Sequence, residues 1–377
     1  MTAIYDVIVV GLGAMGSATA YHLASRGARV LGIDQHEPPH EFGSSHGESR
    51  IIRLVYYEHP LYVPMLQRSY ELWHQLEHDA NEPNLLRITG NLMLGSENSG
   101  LIHGARRAAE EHDLPLEEIK SSYLQDRFPQ FMPMAGFKAL LDPAAGMLNP
   151  ERCVKAHLDL AVRHGATLRL NERVTSWAPM GSGVRVRTSE GTYEAGKLVL
   201  TAGPWMSELV GDVGPALNVE RQTALWFQPP GDREMWAPDR FPVFMCEFAD
   251  GQLIYGFPLQ PRGWKVAVHY QGEPVTDMRA LRRDVEPHDV ARVRNAVSRL
   301  FDWVKEAPLL ESAACLYTDT PDLRFLIDFM PEMPQVLVSS ACSGHGFKFA
   351  SVIGEIQAKL LLDGKCDFDL TPFRMDR

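Results

Sequence analysis

Four cations stand in segments otherwise built from glycine, small and apolar residues: Arg50 and Arg53 in GESRIIR, Lys265 in GWKVAVHY and Lys348 in SGHGFKFA. The chain carries 37 basic against 48 acidic residues, a formal net charge of −11. A cation in such a setting can serve a site, although each of the four can also be a surface charge with its stem laid on apolar surface. An arginine grips a carboxylate through parallel N–H donors, and a lysine adds a point charge. Cys315, in AACLYTDTPD, is a further candidate. Taken alone it reads as a small buried side chain at a strand end, because free cysteine packs well as a hydrophobe.

A second constellation lies at the start of the chain, in YDVIVVGLGAMGSATAYHLASRGARVLGID. Gly11, Gly13 and Gly16 fit G-x-G-x-x-G between a strand at Tyr5 to Val10 and a helix ended by Gly27. In that setting the first glycine allows a tight turn, the second lets a pyrophosphate approach the backbone, and the third brings helix and strand together. The helix N-terminus then offers free N–H groups and a positive dipole end, beside Ala14 and Met15. A second strand closes on Asp34, where a carboxylate accepts from ribose hydroxyls, and Gln35 follows it. The fingerprint alone does not separate NAD from FAD.

Positioning these groups takes more than one βαβ unit. Helical spacing predicts helices over 62–76, 104–112, 150–163 and 288–301. GVRVRTSEGTYEAGKLVLTAG reads as a hairpin followed by a strand over 197–201 that ends at Ala202–Gly203. That ending suits a second approach to the dinucleotide. Residues 215–311 read as strand-rich, and alternation in GWKVAVHY puts Lys265, Ala267 and His269 on one face and Val266 and Val268 on the other. The last segment reads as a strand, a glycine-punctuated loop and a helix. The whole is an α/β chain. A Rossmann-like nucleotide domain from residues 1–85, 148–214 and 316–377 is interleaved with a strand-rich α+β substrate domain from 86–147 and 215–315.

The segments VIVVGLGAMGSATAYHLASRG, PPHEFGSSHGESRIIR, LVLTAGPW, IYGFP, CLYTDTPD, SGHGFKFASVIGEI and DFDLTPFR together resemble the monomeric sarcosine oxidase and N-methyl-L-tryptophan oxidase family. The resemblance covers essentially the whole chain. It implies an FAD-binding domain and an oxidase of a secondary (N-methyl) α-amino acid, with hydride passing to FAD. Molecular oxygen would reoxidise the flavin, giving hydrogen peroxide and an imine that hydrolyses to amine and aldehyde. The resemblance implies that Arg53 and Lys348 hold the substrate carboxylate, that Arg50 lies against the flavin ring, and that Lys265 activates oxygen from the opposite side. A fixed cation suits that last task, since the product of the first electron transfer to oxygen is an anion. His269 and Tyr317 become catalytic groups, Tyr255 and Met245 line the substrate pocket, and Ser44, His46, Ser49, Val174 and Gly203 border the cofactor. Gly344, His345, Gly346, Phe347 and Lys348 become flavin-side residues, where the following helix N-terminus favours negative charge. The resemblance also implies that Cys315 carries FAD covalently, as a thioether to the 8α-methyl carbon. Ser45, Arg324 and the stretch KVAVHY depart from the family pattern, which bears on substrate size.

Other classes find little support. No Lys/Arg block tracks a phosphate backbone, so nucleic acid is not an expected partner. The five cysteines are widely spaced with no CxxC pair, and no HExxH or clustered Cys/His set appears, so no metal is expected. The opening residues lack a basic region followed by a long apolar run, and no apolar stretch approaches the ~18–20 residues needed to cross a bilayer. A cytoplasmic monomer with no membrane partner is the expectation. Two alternatives stay open: an FAD-dependent dehydrogenase using another acceptor, and an oxidase of cyclic or glycated amino acids.

Overall fold

The computed structural model describes residues 4–211, 213–270 and 272–377. Strand Ile4–Val10 leads through the glycine turn into helix Ala14–Ser25 and back into strand Val30–Ile33. The two strands pair in parallel from Val7 opposite Val30 to Val10 opposite Ile33. On its other edge Ile4–Val10 pairs in parallel with Thr192–Leu200, which in turn takes Met333–Ser340. Thr167–Arg169 closes the far side, against Val30–Ile33. Strands covered on both faces must be apolar throughout, which is why VIVV and VLGI read as runs without alternation.

Helix Ala14–Ser25 is flanked by helices Pro150–Arg163 and Ala350–Asp363, and its backbone nearly touches the last of these. A Cβ on Gly354 would stand 2.6 Å from the Ala18 carbonyl carbon. A buried polar bridge fastens helices Ala14–Ser25 and Ala350–Asp363 to strand Met333–Ser340. Thr19 Oγ1 donates to Gln357 Oε1 at 2.7 Å, and Gln357 Nε2 donates to Ser339 Oγ at 2.8 Å.

A second sheet of nine strands is built around Asn218–Phe227. Trp264–His269 lies antiparallel on one side, with Lys265 opposite Trp226 and Ala267 opposite Ala224. Leu309–Asp319 lies on the other, with Cys315 opposite Gln222, and runs unbroken past residue 315. Val266 and Val268 enter an aromatic-rich core with Leu225, Phe227 and Phe244. The opposite face carries Lys265, Ala267 and His269 toward a cavity, as the alternation predicts. A small third sheet, Arg50–Ile52 with Gly146–Leu148 and Leu86–Ile88, carries Arg50.

Local differences from the sequence reading have physical causes. Thr192–Leu200 is one strand, not a hairpin arm followed by another strand. Nothing between Gly191 and Ala202 turns the chain, so its first half pairs with Gly183–Thr188 and its end with Met333–Ser340. The helix expected from residue 104 begins at Gly100, where the Ser99 side chain accepts from Ile102 N at 3.3 Å. Gly104 is an interior residue of that helix, pressed against the Tyr57 backbone. Helix Val63–Ala80 continues past Leu76 and stops at Asn81, whose φ of 52° makes the left-handed cap. No helix among the described residues is long and apolar enough to cross a membrane.

Candidate active site

One continuous cavity runs from the glycine turn to the C-terminal loop. Its first end is built by Gly11, Gly13, Ala14 and Met15, with Asp34 and Gln35 beside them and Val174 and Gly203 across. The side of Gly13 where a Cβ would project meets nothing nearer than Ser45 Oγ at 3.6 Å, so the backbone there stands open to a ligand. Gly16 does not line the cavity: a Cβ at Gly16 would collide with the Gly11 carbonyl, so its role is helix–strand approach. Asp34 is almost wholly buried, and its carboxylate accepts from Leu12 N at 2.7 Å and His36 N at 2.9 Å. Those bonds aim it at the cavity with acceptor capacity to spare.

The opposite end is the loop Gly344, His345, Gly346, Phe347, which passes through one 3-10 turn into helix Ala350–Asp363. A Cβ at Gly346 would overlap the Ala341 carbonyl. Lys348 is 5% exposed, and its ammonium donates to His345 O at 2.6 Å. Burial and the Arg53 charge lower the lysine to about 7. Arg53 is 2% exposed, and one nitrogen, Nη2, donates to both Glu58 oxygens at 2.6 and 2.7 Å. Arg53 was expected to hold a ligand carboxylate; here a carboxylate of the chain itself occupies it.

Met245, Tyr255, His269 and Tyr317 line the space between these cations. His269 Nδ1 shares a hydrogen with the Tyr317 hydroxyl at 3.0 Å. Burial lowers His269 to about 3, with Glu58 opposing and His345, Lys348 and Arg53 adding to the shift, so the imidazole is neutral at ordinary pH. Burial likewise raises the Tyr255 and Tyr317 hydroxyls, which stay protonated donors.

Lys265 is 2% exposed and faces the cavity near Arg50 and Cys315. Its ammonium donates to Gly47 O at 2.6 Å and Ser49 O at 2.9 Å, beneath the rings of Phe257 and Trp226. Burial, then Arg50, lowers it to about 7. Arg50 donates to Ser49 O at 2.8 Å and Ser44 O at 2.7 Å. Ser49 therefore works through its carbonyl behind the wall and does not line the cavity.

Cys315 stands in the cavity wall. Burial alone would raise its thiol, but His46, Arg50 and Lys265 outweigh burial and bring it down to about 6. His46 is itself fully enclosed behind the wall, and neither ring nitrogen meets a partner in hydrogen-bonding geometry among the described residues.

The donor set fits a flavin dinucleotide. Ser44 Oγ and Ser340 Oγ are buried against the cavity with no hydrogen-bond partner among the described residues, as befits groups awaiting a polar ligand. Sequence reasoning missed Ser340, Glu58, Ser45, whose Oγ accepts from Ala14 N at 3.2 Å, and the rings around Lys265. Only Glu58, five residues after Arg53, carried a signal of charge and spacing. No cluster able to hold a metal occurs among the described residues.

Comparison with known proteins gives a consistent picture. The FAD dependent oxidoreductase family profile matches residues 6–360. The chain is 42% identical over 368 residues to a monomeric sarcosine oxidase of Streptomyces avermitilis, covering 97% of this chain and 95% of that protein. It is 35% identical over 380 residues to an N-methyl-L-tryptophan oxidase of Yersinia pestis, covering 99% of each. Among solved structures, the open form of NikD, described as an unusual amino acid oxidase essential for nikkomycin biosynthesis, superposes with a TM-score of 0.85. That match has 26% identity and covers 99% of this chain and 98% of the other.

Proposed function

This chain belongs to the FAD dependent oxidoreductase family, and from that premise we propose that it oxidises secondary, N-methyl-type α-amino acids at the carbon–nitrogen bond, with oxygen as the final acceptor. The observation that carries the reading is the pairing of two buried cations, Arg53 and Lys348, with a neutral His269 in one cavity wall. An α-amino acid offers a carboxylate for the cations and an amine for an uncharged site. Bound FAD supplies the acceptor for the hydride that leaves the substrate carbon.

The chain's own residues do the rest. Arg53 and Lys348 take the substrate carboxylate, for which Arg53 keeps a buried Nε without a partner among the described residues while Nη2 stays on Glu58. Their charges act in a site with little water, where fixed cations are worth far more than in solution. His269, kept neutral and tied to Tyr317, presents no charge that would oppose an ammonium substrate or hold its proton. Met245 and Tyr255 supply the apolar surface for the N-substituent. Lys265, across the cavity, offers a fixed ammonium to the oxygen that becomes anionic on reduction. FAD would be held by Asp34 at its ribose, by the open backbone at Gly13 and the N–H of Met15 at its phosphates, and covalently through the Cys315 sulfur. A thiol poised at about 6 among His46, Arg50 and Lys265 supports that attachment.

The test is an anaerobic titration of the purified holoenzyme with sarcosine, N-methyltryptophan and unmethylated glycine. Bleaching of the flavin by N-methyl substrates, followed by stoichiometric peroxide when air is admitted, is the expected result. A flavin that none of them bleaches would overturn the proposal. Bleaching without peroxide would assign electron delivery to another acceptor.

A further inference from the structure

The ammonium of Lys265 is held by a turn whose two sides bind opposite charges. Gly47 and Glu48 both adopt positive φ, 91° and 70°, which for Glu48 is an uncommon conformation. This curl points successive N–H groups to one side, a concavity suited to an anion. The anion there is Glu151: Gly47 N donates to its Oε1 at 2.6 Å, and Glu48 N donates to Oε1 at 3.1 Å and Oε2 at 3.3 Å. On the other side the Gly47 and Ser49 carbonyls take the Lys265 ammonium, and Ser49 Oγ adds a longer contact at 3.4 Å. The Ser49 carbonyl is shared with Arg50. Glu151 lies in the first turn of helix Pro150–Arg163, where the helix dipole favours a carboxylate and the helix fixes it rigidly.

We propose that Glu151 is the positioning residue for Lys265: through the Gly47–Ser49 turn it orients the carbonyls that hold the ammonium, and it is one of the counter-charges that keep it an ammonium. The inference rests on the oxygen-side role proposed for Lys265. The groups facing Lys265 are Glu48 and Arg50 from the turn and its strand, Cys315 from Leu309–Asp319, Glu151 from the helix, and the rings of Trp226 and Phe257. Arg50 disfavours the ammonium, and Cys315, Glu151 and Glu48 favour it. Removing the Glu151 charge therefore lowers the pH at which Lys265 loses its proton. The hydrogen bonds of Glu151 go to the turn and those of the ammonium to Gly47 and Ser49, so Glu151 acts through the turn and its field.

The experiment uses full-length holoenzyme as the parent protein, Glu151→Gln and Lys265→Met. In protein labelled with 13C-lysine, the Lys265 Cε signal is assigned by its absence in Lys265→Met and titrated with pH. Glu151→Gln, nearly isosteric and with an amide oxygen still able to accept from both the Gly47 and Glu48 N–H groups, should lower the midpoint by about half a unit or more. In parallel, each protein is reduced with dithionite and mixed with oxygenated buffer. The pH at which reoxidation slows should fall by the same amount in Glu151→Gln. An unchanged Lys265 midpoint overturns the inference. If Lys265→Met reoxidises as fast as the parent, the oxygen-side role fails instead, and the midpoint still decides whether Glu151 holds the lysine. Circular dichroism melting confirms that the compared proteins are folded, and Glu151→Asp, which keeps the charge, should return the midpoint toward that of the parent.

Discussion

Arg53 and Glu58 form a closed pair at the cavity wall, one guanidinium nitrogen reaching both carboxylate oxygens at 2.6 and 2.7 Å. Burial opposes the charge on Glu58, but Arg53, His345 and Lys348 outweigh it and hold the carboxyl down to about 2. Glu58 thus offsets part of the positive charge that a ligand carboxylate would meet at Arg53, whose Nε is left without a partner among the described residues. Glu58→Gln should tighten binding of a simple carboxylate such as acetate by ~3–10-fold, as read by the change in the flavin spectrum. Arg53→Met should abolish that binding and, by stranding a buried carboxylate, cost about 3–5 kcal/mol in denaturant unfolding.

The same pair has a pH signature. Glu58 has a depressed folded value, so its contribution is complete above the ordinary carboxylate value of 4.5 and is lost as pH falls from there toward 2. Thermal melting of the parent should show that loss, and the difference between parent and Glu58→Gln should shrink over the same window.

His269 should not appear in the pH profile of flavin reduction. Lowered to about 3, it is neutral across the working range. Replacing it by Asn should slow anaerobic reduction by ~10-fold or more while leaving the shape of the profile between pH 5 and 9 intact. An acidic limb that vanishes in His269→Asn would contradict this.

Cys315 gives a colour test. Acid-precipitated parent protein should remain yellow, whereas Cys315→Ala should release its flavin to the supernatant. Release from both would mean the sulfur is a neighbour of the cofactor and not its tether.

Gly346→Ala should be among the most damaging single-methyl additions, because the new Cβ overlaps the Ala341 carbonyl. A cost of ~1–3 kcal/mol and a lowered flavin content are expected, checked by melting and by the ratio of visible to ultraviolet absorbance.

Much of this was readable in the sequence, for identifiable reasons. The glycine turn and its two strands declared themselves because the positive φ of Gly11 and the approach of Gly16 to the Gly11 carbonyl are local. The face of Lys265, Ala267 and His269 followed from strand alternation, which has a period no tertiary contact can change. The sequence already divides the nucleotide domain into three pieces, but which strands meet is harder to see, since parallel pairing joins residues nearly two hundred positions apart, such as Val10 and Leu200. Least legible were the groups whose purpose lies in a partner. Nothing in YYEHP says that Glu58 returns to Arg53, and nothing in NPERC says that Glu151 receives two N–H groups of a distant turn. Gly16, His46 and Ser49 show the converse. Spacing marks Gly16, and the family resemblance marks His46 and Ser49, as cofactor neighbours, but steric packing, enclosure and a carbonyl that accepts from Lys265 place them one layer behind the wall.

The Thr19–Gln357–Ser339 bridge has a bearing on how the protein is made. Thr19 and Gln357 are separated by 338 positions. The nucleotide turn is synthesised before both the helix that packs beneath it and the loop that closes the far wall. A nascent chain halted before Gly344 owns the glycine fingerprint but lacks the opposite wall. A flavin meeting such a segment would find one wall of its cavity and not the other.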